Sequence, residues 1–241
     1  MLRGHESFVY DVAISADGRW VASSSWDETV RFRDRDDGGQ SASSQRLGGF
    51  VVSVTASPVG NWFATVEQAG VVRFWKPPGT KPLWSATFQT SSIAEIDARV
   101  EFHPRGGILA VVGDRDWSAR FYDTASGEAL GGLPLHDRPA TDIAFSPAGE
   151  MIASGDTGGT LRLWDFASRS PRAVIKAHDG AISRIAFHPG GTMVASVSTG
   201  GAVRLWEVAS GKPLAILKNP DHVYGIAFRS EEHTSELQSP A

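Results

Sequence analysis

Apolar positions in this chain gather in short runs separated by turns rich in Gly, Pro, Asp and Ser. Residues 9–14 form one such run. Asp17-Gly18 then turns the chain, residues 20–24 return, Asp27-Glu28 turns it again, and residues 29–32 make a third run. The unit recurs at 151–154, Gly158-Gly159 and 160–164, and at 193–196, Gly200-Gly201 and 202–206. Gly-Gly between two short β-rich runs predicts a hairpin, because a tight two-residue turn needs positive φ. A more polar fourth run follows at 82–86, 128–133, 172–175 and 213–217. Aligned on the last residue of the first run, the copies fall on Ile14, Ala56, Phe102, Phe145, Phe187 and Phe228, at intervals of 42, 46, 43, 42 and 41 residues. A period in this range predicts four-stranded sheets repeated about an axis. The runs are apolar on both faces, as sheets packed between neighbouring sheets require.

The turn after the first run reads Ser146-Pro147-Ala148-Gly149 in one copy and His188-Pro189-Gly190-Gly191 in another. The third run closes on Arg33-Asp34, Trp75-Lys76, Tyr122-Asp123, Trp164-Asp165 and Trp206-Glu207. Gly4-His5 precedes the first copy, and His136 and His178 stand at the same nine-residue distance from their strand ends. With these motifs in register, the chain resembles the WD-repeat (Trp-Asp repeat) β-propeller family over roughly residues 2–228. The expected fold is all-β, a propeller of four-stranded antiparallel blades. Five blades are expected, at about 8–47, 50–86, 96–133, 140–175 and 182–217. The first strand of a sixth follows at 223–228, and the ring is open or incomplete.

The resemblance implies a hydrogen-bonded group of His, Ser or Thr, Asp and Trp within each blade. Carried over by position, blade one has His5, Ser23 and Asp27, with Arg33 in place of Trp. Blade four has His136, Ser154 and Trp164, with Gly158 at the acid position and Asp156 as the expected substitute. Blade five has His178, Ser196 and Trp206, with Gly200 there. Blade three keeps Asp116 but has Val111 at the Ser position. Half-paired buried groups are costly, so modest stability per blade is expected.

Val9 and Val12, Ile182 and Ile185, and Val223 and Ile226 are apolar pairs that strict alternation cannot place on one face, which predicts a β-bulge between them. The resemblance places bulge residues near one rim of the ring. There the chain has Tyr10-Asp11, Val52-Ser53, Ala98-Arg99, Thr141-Asp142, Ser183-Arg184 and Tyr224-Gly225, which vary from copy to copy while the flanking strands do not. A second contact position in the family holds Trp26 and Arg115. Tyr, Trp and Arg dominate binding energy at interfaces. The candidate partner-binding residues are therefore Tyr10, Asp11, Trp26, Arg99, Arg115, Asp142, Arg184 and Tyr224. His103 and His188 read as turn residues, and Trp62 and Trp84 as core. Residues 33–37 and 38–44 read as a charged, flexible loop between the third and fourth strands.

Composition narrows the function. With 41% hydrophobic and 21% charged residues the chain reads as globular, and its net charge of −4 gives no basic face for nucleic acid. It has no cysteine, so thiol chemistry and disulfides are excluded. No apolar run reaches the ~18 residues of a membrane-spanning helix. No nucleophile elbow, phosphate loop or paired-His helix motif occurs, and the second bulge position mixes Asp, Ser, Arg and Gly without His. No enzyme activity, metal or cofactor is expected.

Both ends depart from the repeat. Only residues 1–3 stand where an outer strand would precede His5, so an upstream extension is expected. Residues 229–239 read as the in-frame translation of a short-read sequencing adapter, which makes 229–241 an artefactual or disordered tail. Function is expected to be that of a cytoplasmic scaffold binding a protein or peptide through rim loops, with possible self-association of the fragment. The alternative is the sensing half of a larger bacterial signalling protein carrying a kinase, protease or NTPase domain.

Overall fold

The computed structural model describes residues 4–36, 41–88, 98–113, 117–218, 223 and 225–228. Among these, regular structure is entirely β. Twenty strands form five four-stranded antiparallel sheets, each taken up in chain order from the first strand to the fourth. The first blade holds β1 (Val9–Ile14), β2 (Trp20–Ser25), β3 (Val30–Asp34) and β4 (Ser41–Ser43). The second holds β5 (Val51–Ala56), β6 (Phe63–Glu67), β7 (Val71–Trp75) and β8 (Trp84–Thr87). The third holds β9 (Arg99–Phe102), β10 (Ile108–Val112), β11 (Ser118–Asp123) and β12 (Ala129–Pro134). The fourth holds β13 (Ala140–Phe145), β14 (Met151–Asp156), β15 (Thr160–Asp165) and β16 (Pro171–Lys176). The fifth holds β17 (Ile182–Phe187), β18 (Met193–Ser198), β19 (Ala202–Glu207) and β20 (Pro213–Lys218).

Hairpins of this length need a residue of positive φ at the turn, and Gly18, Gly149, Gly159 and Gly191 supply it. At Gly159 the constraint is also spatial, since an added Cβ would lie 2.1 Å from the His178 carbonyl. The bulges predicted at Val9–Val12 and Ile182–Ile185 are present, two more occur in register with them, and none is formed at 223–226 among the described residues. The β1–β2 register shifts between Val9 and Asp11, β5–β6 between Val51 and Ser53, β13–β14 between Ala140 and Asp142, and β17–β18 between Ile182 and Arg184.

The apolar interior is divided among the gaps between blades. One cluster joins Phe32 and Trp20 of blade one to Val54 and Phe63 of blade two. Others join Phe74 to Phe102, Phe121 to Phe145, and Leu163 to Ile185, each across the next gap. First strands of successive blades touch in order, β1 to β5, β5 to β9, β9 to β13 and β13 to β17, and so wall a channel.

Two expectations need correction. The segment read as a loop after Arg33 contains strand β4, and Ser44 just beyond it is buried, its hydroxyl accepting the Val30 N–H at 3.0 Å. Polar Ser-rich composition hid an outer strand whose neighbour on one side is solvent. The described residues of 223–228 form no strand, although Ile226, Ala227 and Phe228 line the channel floor beside Phe187. The tail at 229–241 lies outside the described residues.

Candidate interaction surface

Within the blades, the second and third strands carry the Ser and Trp of the polar group that the resemblance implied. In blade four the His136 Nε2 lies 2.8 Å from the Ser154 hydroxyl, which accepts the Trp164 indole N–H at 3.0 Å. Asp156 approaches the other ring nitrogen at 3.0 Å, as expected of the substitute acid. Although burial pushes the Asp156 carboxyl up, His136 and the N–H groups of Thr160 and Gly158 bring it below its ordinary value. In blade one His5 contacts Ser23 and Asp27, each at 2.8 Å, and Asp27 accepts Thr29 at 2.6 Å. Against the effect of burial, these partners and the Glu6 N–H hold Asp27 well below the usual carboxylate range.

Blade five has the Ser196 hinge, 2.7 Å from His178 and 2.9 Å from the Trp206 indole nitrogen, with Ser198 standing where blade four has Asp156. Burial, followed by the charge of Arg204, presses the His178 ring down to about 4. In blade three Val111 is buried in the apolar cluster, and Asp116 lies outside the described residues.

At the bulge end of the inner strands, four aromatic rings remain open to solvent. Trp26, on the β2–β3 turn, stacks on Tyr10 at 5.9 Å and on Phe50 at 5.3 Å, with interplanar angles of 18° and 20°. Phe8 meets the same indole edge-on at 5.8 Å. The four span blades one and two and are 37–74% exposed. Elsewhere large aromatics such as Trp75, Phe63 and Phe121 are buried.

Beside this patch the channel mouth is polar. The Asp11 carboxylate accepts the Ser53 hydroxyl at 3.1 Å and the Val54 N–H at 3.2 Å. Asp142 repeats the arrangement by accepting the Ile185 N–H at 2.6 Å. A carboxylate on one blade thus receives a backbone donor that the bulge frees on the next. Burial pushes Asp142 up to about 6, against the pull of Arg99, Arg184 and its backbone donors.

Comparison with known proteins agrees with this architecture. The family model "WD domain, G-beta repeat" matches residues 1–34, 127–165 and 169–207. Those three stretches carry WD repeats. Among curated relatives, Minichromosome loss protein 1 of Schizosaccharomyces pombe (strain 972 / ATCC 24843) is 29% identical over 159 residues, covering 61% of this chain and 18% of that protein. Cross-pathway control WD-repeat protein 2 of Flammulina velutipes is 53% identical over 38 residues, covering 16% of this chain and 12% of that protein. The matched stretch is therefore a small part of either relative.

The candidate contact residues separate into two places. Tyr10 and Trp26 join the open aromatic patch, and Asp11 stands between it and the channel. Arg99 and Asp142 are buried in the channel wall, and Arg184 is half-buried there, so none of the three is an exposed rim contact. The second residue of each pair lines the channel from β1 to β17, beside a register shift on four of the strands and without one on β9. Arg115 and Tyr224 lie outside the described residues.

Several residues escaped the sequence reading. Phe8 and Phe50 precede their strands, where no alternation singles them out. Blade two builds its own version of the polar group: Trp75 donates to Thr65 at 2.9 Å, and Glu67 pairs with Arg73. Arg31, Arg73, Arg120, Arg162 and Arg204 recur at nearly the repeat period, a signal that was available. Arg162 and Arg204 donate to the carbonyls of Leu135 and Ala177, just before the two blade histidines.

Proposed function

We propose that the chain is an interaction scaffold that takes a protein or peptide segment on the rim of blades one and two, without catalysis of its own. WD-repeat proteins act in general as scaffolds for protein interaction. The observation that carries the finer reading is the open aromatic stack of Phe8, Tyr10, Trp26 and Phe50. Aromatic side chains left in water forgo the burial that drives folding, and such residues are those that concentrate binding energy at interfaces. Stacking already fixes their rotamers, so a partner meets a preformed surface and loses little entropy in ordering it. The fitting segment is a peptide carrying aliphatic or aromatic anchors, placed against the Trp26 ring and its neighbours.

Peptide-display selection against the wild-type chain, with Trp26→Ala as the counter-selection target, tests this. Enriched peptides are expected to bind at least tenfold more weakly to Trp26→Ala and Tyr10→Ala. Peptides that bind wild type and both variants equally would place the contact surface elsewhere.

A further inference from the structure

One position on the channel wall breaks the repeat. At one register of the inner strands stand Ala13, Thr55, Glu101, Ala144 and Ala186, of which the last four line the channel. Four are small; blade three has a carboxyl. Two residues earlier on β9 stands Arg99, and alternation along a strand turns both side chains to the same side. With Asp11, Ser53, Asp142 and Arg184 they line a cavity of about 240 Å³.

Arg99 is 6% exposed, yet only part of its guanidinium is satisfied. Nη1 donates to the Val52 carbonyl at 3.3 Å and stands 3.8 Å from the Asp11 carboxylate. Nε and Nη2 have no acceptor. Asp142, the other nearby carboxylate, is held by the Ile185 N–H. The unsatisfied edge is the one whose two N–H bonds run parallel and match the two oxygens of a carboxylate. Buried donors without an acceptor are costly, so a group that meets them is favoured. Glu101 makes no hydrogen bond among the described residues. Burial, then the charges of Asp142 and Asp11, push its carboxyl up to about 8, so near neutral pH it carries a proton to donate.

We propose that this cavity is a carboxylate-binding site, in which the Nε–Nη2 edge of Arg99 turns into the channel to grip both oxygens and the Glu101 carboxyl supplies a further contact. The facing charged groups are Asp11 from β1, Arg99 and Glu101 from β9, Asp142 from β13 and Arg184 from β17. With Glu101 neutral the two acids and two bases balance, and an incoming carboxylate meets no net negative field. As pH rises through Asp142 and then Glu101, negative charge accumulates and the Glu101 donor is lost. Affinity therefore falls from pH 6 to pH 9, whereas a simple arginine site is flat over that range. The carboxylate belongs either to a free organic acid or to an acidic side chain of a peptide. The site stands independently of the aromatic rim.

The test is an NMR titration of the arginine Nε–Hε signals at pH 6.5. Succinate is one probe, and a hexapeptide containing Asp and Glu, acetylated and amidated at its ends, is the other. Saturable movement of one signal is expected, with binding at least tenfold weaker in Arg99→Lys, which keeps the charge but lacks the fork. Glu101→Gln retains a donor at every pH, so it is expected to bind while losing most of the decline between pH 7 and pH 9. Response to succinate identifies a free-acid site, and response to the peptide alone identifies an acidic side chain. No saturable shift with either probe, or equal affinity in Arg99→Lys, overturns the proposal, as does an unchanged pH profile in Glu101→Gln.

Discussion

The indole of Trp164 can only donate, so the Ser154 hydroxyl must accept it and pass its own proton to His136 Nε2. Nδ1 of that ring then carries the hydrogen that faces Asp156. The chain of donors runs one way and ends 3.0 Å from an acid. Blade five keeps the first two links but ends at a histidine without a carboxylate, close to Arg204. The consequence is a specific acid sensitivity. His178 is held at about 4 in the fold against about 6.5 in an unfolded chain. A neutral ring is favoured by folding, so this contribution is complete above pH 6.5 and is lost as pH falls toward 4, to a total of about 3 kcal/mol. Ser198→Asp restores the acid of blade four. Urea midpoints at pH 7 and pH 5 should differ less in that variant than in wild type, and an equal difference would refute the assignment.

At the scale of strands and blades, packing leaves no room where one sheet's hairpin meets its neighbour. A Cβ on Gly155 of β14 would lie 2.6 Å from Ile182 Cγ2 on β17. Gly155→Ala should therefore cost about 1–3 kcal/mol by overpacking, while Gly225→Ala, which meets nothing within 4 Å, should cost far less in the same denaturant titration. Strand placement was legible in the sequence because apolar runs and glycine turns repeat at one period, and the bulges were legible because Val9 and Val12 violate alternation. The substitute role of Asp156 was legible too, as a carboxylate two residues beyond Ser154. What resisted reading depends on contact between repeats. Phe50 becomes meaningful only when blade two sets it on Trp26, and the burial of Arg99 and Asp142 only when the channel closes around them. Thr65 and Glu67 escaped because blade two has Leu47 where blades one, four and five have His, so no register mark pointed to them.

For the molecule as a whole, repeat-equivalent residues have unequal surroundings. Val54, Val100, Ile143 and Ile185 are nearly inaccessible, whereas Val12 is 54% exposed on blade one. At the opposite end of the array Leu217 is exposed, where its equivalent Leu133 is buried. Each gap between described blades pairs one face of the first kind with one of the second, so the exposed Val12 face and the exposed Leu217 face are complementary by the fold's own precedent. Head-to-tail association of copies is the expected result, since such contacts need not close. Sedimentation velocity of the wild-type chain should give a concentration-dependent mass, and Val12→Asp together with Leu217→Asp should return it to the monomer. A wild-type chain whose mass stays that of the monomer throughout the concentration series would refute this.

Because every apolar cluster straddles one gap, no blade owns its interior. Cohesion then resembles a row of leaning books, in which an inner volume is steadied from two directions and an outer one from a single direction. Amide hydrogens of β10 and β14, in the middle of the row, should be the last to exchange with heavy water, and those of β2 and β18 among the first of the second strands. Uniform exchange across the five second strands would mean that the array opens as one body.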